Sequence, residues 1–243
     1  MNASSAAVEK TLALAINCAN AGQPERAAQL CEKALAASPK NPAVLQLLAV
    51  LCLEAGQLAR ATECIALAIA LRPGHGPSLI VAGDVARANG DLQAALVHHA
   101  GALKLLPGRV DAMHALGSTL QACGRLDEAQ QMLSSAAALA PAKAQTWFAL
   151  ALVRQDLRDF EGAAAALRQV LQVAPPRAEV EVNLGIVLQE SGQLEEAMRA
   201  YGRAYRLRAD TFGRIAHALS APNAGRLWLN LDELRTALHT APV

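Results

Sequence analysis

The 243-residue chain is 53% hydrophobic, 18% charged and 3% aromatic, and its formal net charge is +1. So few rings exclude an aromatic-rich β-sandwich, while so much apolar content with so little charge excludes a disordered chain. Balanced charge also removes bulk electrostatics as a means of holding nucleic acid.

Alanine is the commonest apolar residue, and it favours helix and lets helices approach closely. Residues 1–7 read as a lead-in. Glu9 stands where a signal peptide needs positive charge. Residues 14–18 end at Cys18 in the manner of a lipoprotein cleavage box, but Asn17 occupies the place that requires a very small residue. The start therefore reads as the first helix of a cytoplasmic protein. The longest uncharged stretches, 11–24 and 129–142, are 14 residues each and contain polar or breaker residues. A membrane span needs about 18 or more apolar residues, so none is expected. Cys18, Cys31, Cys52, Cys64 and Cys123 are an odd set without CxxC spacing. They read as small buried hydrophobes in a reducing compartment.

Pro39, Pro73, Pro107, Pro141 and Pro175 stand 34 residues apart. Gly22, Gly56, Gly90 and Gly124 keep the same interval and return at Gly192, with Arg158 in the one missed place. Ala27, Ala61, Ala95, Ala129, Ala163 and Ala197 keep it throughout. A period of that size marks a solenoid. The repeats are 8–41, 42–75, 76–109, 110–143, 144–177 and 178–211, followed by capping helices and a tail over 212–243. In the second repeat Leu45, Leu48, Ala49 and Cys52 mark a first helix, Gly56 a turn, and Ala61, Ile65 and Ala68 a second helix that Pro73 ends. Each repeat is thus a helix hairpin, made small where its helices cross by Ala15, Ala49, Gly83, Gly117, Ala151 and Gly185 at position 8. Ala34, Ala68, Ala102, Ala136, Val170 and Ala204 at position 27 leave room for the next hairpin.

The 34-residue unit, small at position 8, with Gly at 15, Ala at 20 and 27 and Pro at 32, resembles the tetratricopeptide repeat. The resemblance implies an all-α protein, a right-handed solenoid of stacked hairpins. Three departures stand out. The family's Trp at position 4 occurs only as Trp147, its Tyr at position 11 never occurs, and Ala209 replaces the last proline. That alanine is expected to let the last helix run on into the tail.

In this family, positions 2, 5, 9, 12 and 13 line a concave groove, and their spacing is one helical stripe. Here the stripe includes Gln46, Val50 and Glu54, then Ile80, Asp84 and Arg87, then Asp111, His114 and Gln121. It continues with Phe148, Gln155 and Asp156, and with Val182, Gln189 and Glu190. Over all six repeats it holds seven carboxylates and one arginine, so an apolar, basic peptide or partner protein fits it. The alternative is a solvated face whose carboxylates pair with neighbours, as Asp84 does with Arg87. Asn183 is at position 6, where some peptide-binding members use Asn to bond a ligand backbone. Leu12 and Ile16 occupy the places of the Lys and Asn that clamp a chaperone tail, which speaks against that use.

No catalytic, metal or cofactor pattern stands out. His98 and His99 diverge by about 100° on a helix, and His75 lies in a connector between Gly74 and Gly76. Asp127/Glu128 and Glu195/Glu196 open second helices, where they complement the dipole. Towards the end, Arg199, Arg203, Arg206, Arg208 and Arg214 gather with Tyr201, Tyr205, Phe212 and Trp228. This cluster reads either as a cap or as a basic docking surface for nucleic acid, an acidic protein or the groove of a second copy. A helix is expected through Ile215 and Leu219, a loop over 220–225, and a short helix opened by Asn230 and Glu233 and reaching Leu238. The sequence thus points to a non-enzymatic protein-binding scaffold, an adaptor, assembly factor or secretion-type chaperone. The alternatives are a regulatory subunit of a separate enzyme or nucleic-acid binding by the arginine-rich end.

Overall fold

The computed structural model describes residues 3–220 and 230–242, and it forms two compact units that divide between Cys123 and Gly124. The first unit contains α1 (Ala3–Asn20), α2 (Pro24–Ala37), α3 (Pro42–Glu54), α4 (Leu58–Leu71), α5 (Gly76–Ala88), α6 (Leu92–Leu105) and α7 (Val110–Ala122). The second contains α8 (Leu126–Leu139), α9 (Ala144–Asp156), α10 (Phe160–Val173), α11 (Ala178–Glu190) and α12 (Leu194–Leu207). A single 3-10 turn (Ala209–Thr211) then leads to α13 (Phe212–Leu219) and α14 (Leu231–Thr240). No strand occurs among the described residues, so the fold is all-α. Helix starts at Pro42, Gly76, Val110, Ala144 and Ala178 keep the 34-residue interval of the prolines.

Local chemistry sets the helix ends. Asn41 caps α3 by accepting from the amides of Ala43 and Val44, and Pro42 suits the first helical position because its missing amide would have no partner there. The helix ends at Glu54 and, past the cap residue Ala55, Gly56 takes φ +71°. This left-handed residue lets the Gln57 amide reach back to the Cys52 carbonyl at 2.8 Å, closing the helix in a Schellman turn. The turn then hands the chain to α4 at an angle that brings it back along α3. Ala61, Ile65 and Ala68 of α4 are buried with Leu45, Leu48, Ala49 and Cys52 of α3 in one apolar cluster of the first unit.

Side-chain size is exchanged across two of the crossings. Gly83 lies against the ring of His99, and Gly185 against the ring of Tyr201; a Cβ at either glycine would overlap the ring. Hairpins with alanine at that place carry Cys31, Ile65 or Leu167 at the ring's place in the repeat. Burial raises the thiol pKa values of Cys31, to about 11, and of Cys52 and Cys64. These thiols therefore stay protonated and act as packing atoms.

Three expectations about the ends are modified. The first helix begins at Ala3, inside the stretch read as a lead-in. At the other end α12 stops at Leu207 despite the missing proline. Arg208 turns extended at φ −152°, its guanidinium grips Asp210 through two bonds of 3.0 and 2.7 Å, and Thr211 Oγ1 donates to the Arg208 carbonyl. A side-chain clasp does what proline does elsewhere. The short helix expected to reach Leu238 runs on to Thr240, with Asn230 accepting from the Asp232 amide. Trp228 and most of the loop expected over 220–225 lie outside the described residues.

The last helix is seated by a backbone opening. Gly202 of α12 is so close to the end of α14 that a Cβ there would meet Ala241 Cβ at 2.6 Å and the Leu238 carbonyl oxygen at 2.8 Å. Leu234 and Leu238 are fully buried. Arg206 Nη1 donates to the carbonyls of Leu238, His239 and Ala241 at 3.3, 3.3 and 3.0 Å, so a cation from α12 satisfies the open C-terminal end of α14. Arg235 lies 4.5 Å over the Phe212 ring, and Tyr205 packs on both Phe212 and His239.

Candidate functional site

Within the first unit α1, α3, α5 and α7 touch in succession, whereas α2, α4 and α6 make no comparable contact with one another. The first helices therefore form a continuous wall on the side towards which the hairpins close. Gln46 Oε1 on α3 accepts at 2.9 Å from Ser78 Oγ on α5, and His75 Nδ1 is 2.8 Å from the same hydroxyl. That network ties neighbouring members of the wall. On it Val50 and Ile80 are half-buried, Glu54 is exposed, and Asp84 is partly exposed. Arg87 Nη2 donates to Asp84 Oδ1 at 3.2 Å. Asp111 is in reach of Arg109 Nε at 3.3 Å, and His114 and Gln121 are half-buried.

In the second unit the stripe is less uniform. Phe148 and Gln155 are half-buried, and Asp156 and Glu190 are exposed. Val182, Asn183 and Gln189 lie inside. Gln189 Oε1 accepts a hydrogen bond from the Tyr201 hydroxyl at 3.1 Å, and its Nε2 donates one to the Ala218 carbonyl at 2.8 Å. Asn183 Oδ1 accepts from Arg214 Nη2 at 3.2 Å. Gln189 thus uses both ends of its amide within the chain, and Asn183 its oxygen. Ile186, Gln189, Glu190, Arg214, His217 and Ala218 line a small cavity of about 280 Å³ at this end.

The arginine cluster is largely committed inside its own unit. Arg203 Nε pairs at 2.8 Å with Glu181, whose side chain is 5% exposed. Arg206 caps α14, Arg208 holds Asp210, and Arg214 holds Asn183. Arg199 is exposed beside Leu194, Met198 and the end of α14. The Glu181–Arg203 pair is a feature that sequence reasoning missed. Its signal is a charged residue at position 4, where the other repeats have Thr11, Leu45, Leu79, Met113 and Trp147. Glu181 Oε2 has no hydrogen-bond partner among the described residues, so the pair is a costly one to bury. No cluster of His, Cys, Asp and Glu among the described residues could hold a metal ion, and none of their helices is long and apolar enough to cross a membrane.

Paired helices stacked through small residues, with one face of first helices open, define a helical-repeat scaffold. The tetratricopeptide repeat profile matches residues 20–78, 86–152 and 155–221, and the chain belongs to that family. Among solved structures it is similar to a thermophilic tetratricopeptide protein of Thermus thermophilus, at 23% identity and a TM-score of 0.66, over 74% of this chain and 98% of that one. It is also similar to PilF of Pseudomonas aeruginosa, at 18% identity and a TM-score of 0.72, over 86% and 95%. PilW, described as a widely conserved type IV pilus biogenesis factor, gives 15% identity and a TM-score of 0.80, over 90% and 100%. At such identities the likeness is one of fold. No curated protein matches the sequence.

Proposed function

We propose that the chain is a non-catalytic scaffold that holds an apolar, basic segment of a partner protein along its first helices, as an adaptor, assembly factor or secretion-type chaperone. Family membership supports the general role, because tetratricopeptide repeats are generally protein-binding scaffolds. The observation that carries the finer reading is a recurring pair on the stripe. Val50 and Glu54, Ile80 and Asp84, Leu152 and Asp156, and Ile186 and Glu190 each set an acid one helical turn from an apolar side chain. On each unit taken by itself, a segment with alternating apolar and cationic residues matches its two pairs, the apolar groups supplying burial and the charges supplying register. Free, mostly buried thiols support a reducing compartment such as the cytoplasm.

An amphipathic peptide of leucine and lysine tests the reading. Reversing Glu54, Asp156 and Glu190, all exposed, to Lys places like charges opposite the peptide and is expected to weaken binding by about tenfold or more. Helicity by circular dichroism should not change. Equal affinity for the reversed and native proteins would overturn the assignment of this face.

A further inference from the structure

The first unit buries a histidine directly behind the open stripe. His99 of α6 is fully buried, and it lies on the α5 backbone because Gly83 presents no Cβ. Its Nε2 is 3.1 Å from the Ile80 carbonyl oxygen and 3.7 Å from Asp84 Oδ1. Both are acceptors, so Nε2 carries a hydrogen. Its Nδ1 is 2.8 Å from Thr119 Oγ1 on α7, and that hydroxyl is in turn 2.9 Å from the Ala115 carbonyl oxygen. When the ring is neutral, Thr119 donates to Nδ1. When it is protonated, Nδ1 donates to Thr119 and the hydroxyl hydrogen turns to Ala115. Every polar group keeps a partner in both states, so neither state strands a buried donor or acceptor.

Burial, neighbouring charge and the Ile80 carbonyl together set the balance between the two states. The groups acting on the ring are Asp84 and Arg87 of α5 and His98 of its own helix, while α7 presents the neutral Thr119. Burial is the largest effect and pushes the His99 pKa below 6.5; Asp84 and the bond to the Ile80 carbonyl push it up, and Arg87 and His98 push it down. Asp84 is therefore the one carboxylate among these groups, with Arg87 already beside it and its side chain 32% exposed on the stripe.

We infer that binding of a cationic partner group at Asp84 is proton-linked through His99, so that the scaffold releases a basic segment as the pH falls. The inference rests on the scaffold reading above and adds its regulation. A partner cation at Asp84 and a proton on His99 draw on the same negative charge, and each lowers the affinity for the other by the same factor. Above the depressed His99 value the ring is neutral and Asp84 is left to Arg87 and the partner. Below it, the buried imidazolium competes. The lysines of a probe peptide keep their charge throughout this range, so the titrating group belongs to the protein.

The test uses the whole chain and the amphipathic peptide of leucine and lysine. Affinity is measured calorimetrically at about pH 7.5 and about pH 5 for the native protein and for His99→Gln, whose amide can still reach the Ile80 carbonyl. Histidine Cε1–H resonances are followed through the same range, with His99 assigned by its loss in that variant. Native binding is expected to weaken about fivefold on acidification, and His99→Gln is expected to remove most of that loss. Asp84→Asn, at a partly exposed position that leaves the core intact, should move the His99 titration to lower pH. An unmoved titration in Asp84→Asn overturns the inference, as does an acid loss that persists in His99→Gln. Peptide binding of equal strength at both pH values overturns the inference alone. A peptide that the native protein does not bind at either pH overturns the scaffold reading beneath it.

Discussion

Arg158 shows how a residue can be visible in the sequence while its conformation is not. It stands in the one place where the glycine interval is missed, which could have meant a different turn. The chain instead keeps the turn and puts Arg158 at φ +60°, with the Asp159 amide donating to the Arg154 carbonyl at 2.8 Å. Arg154 helps to hold it there, its Nη1 donating to the Gly162 carbonyl at 3.0 Å. Stacking on both sides fixes the angle between α9 and α10, so the backbone accepts a conformation that an L-residue dislikes. That strain amounts to roughly 1–2 kcal/mol, offset in part because glycine loses more chain entropy on folding. Arg158→Gly is therefore expected to raise the unfolding free energy by about 0.5–1 kcal/mol, read as a higher urea midpoint with an unchanged slope. A lower midpoint would mean that the arginine side chain contributes more than its backbone costs.

At the scale of the element, α14 was legible as a helix and illegible as a neighbour. Asn230 and the spacing of Leu234 and Leu238 announce its start and its buried side, but nothing local says which surface receives it. The receiving surface is marked only on comparison of the repeats. Position 25 is Glu32, Ala66, Ala100, Ser134 and Arg168 in the first five and glycine only at Gly202, where α14 comes down on the α12 backbone. Gly202→Val fills that space with backbone and Cβ atoms that have little room to move. It should lift the end of α14 away from Arg206 and cost about 1–3 kcal/mol, seen in thermal unfolding and in faster amide exchange across 231–240. Exchange that stays slow there would show that α14 is held by Leu234 and Leu238 alone. The same distinction applies to the binding stripe. Helical spacing indicated which residues share a face, yet it did not separate the exposed Glu190 from the buried Gln189 beside it, because Gln189 is covered through Tyr201 and Ala218, which come from two other helices.

For the whole molecule, the interval of 34 residues was enough to give the alternation of first and second helices through α12 and the places of the small residues, since within a unit each repeat buries its faces mainly against its neighbours. What the interval does not specify is how such a stack ends, because an end has no successor to obey it. In the second unit the ending is built from residues outside the repeats. Ile215, Leu219, Leu234 and Leu238 join Val180, Leu184, Leu188 and Tyr201 in one buried cluster. Those four side chains are all but fully buried, and burying a leucine or isoleucine is worth about 1.5–3 kcal/mol each. Truncation after Asp210 should therefore expose one flank of α11 and α12, lower the melting temperature and promote aggregation. Because stability in a repeat array passes from neighbour to neighbour, the loss should be graded along the second unit. Hydrogen exchange by mass spectrometry would show protection falling most in α11 and α12 and less in α8 and α9. A truncated chain with native melting temperature and unaltered exchange in α11 and α12 would mean that residues 212–243 serve a purpose other than closing the stack.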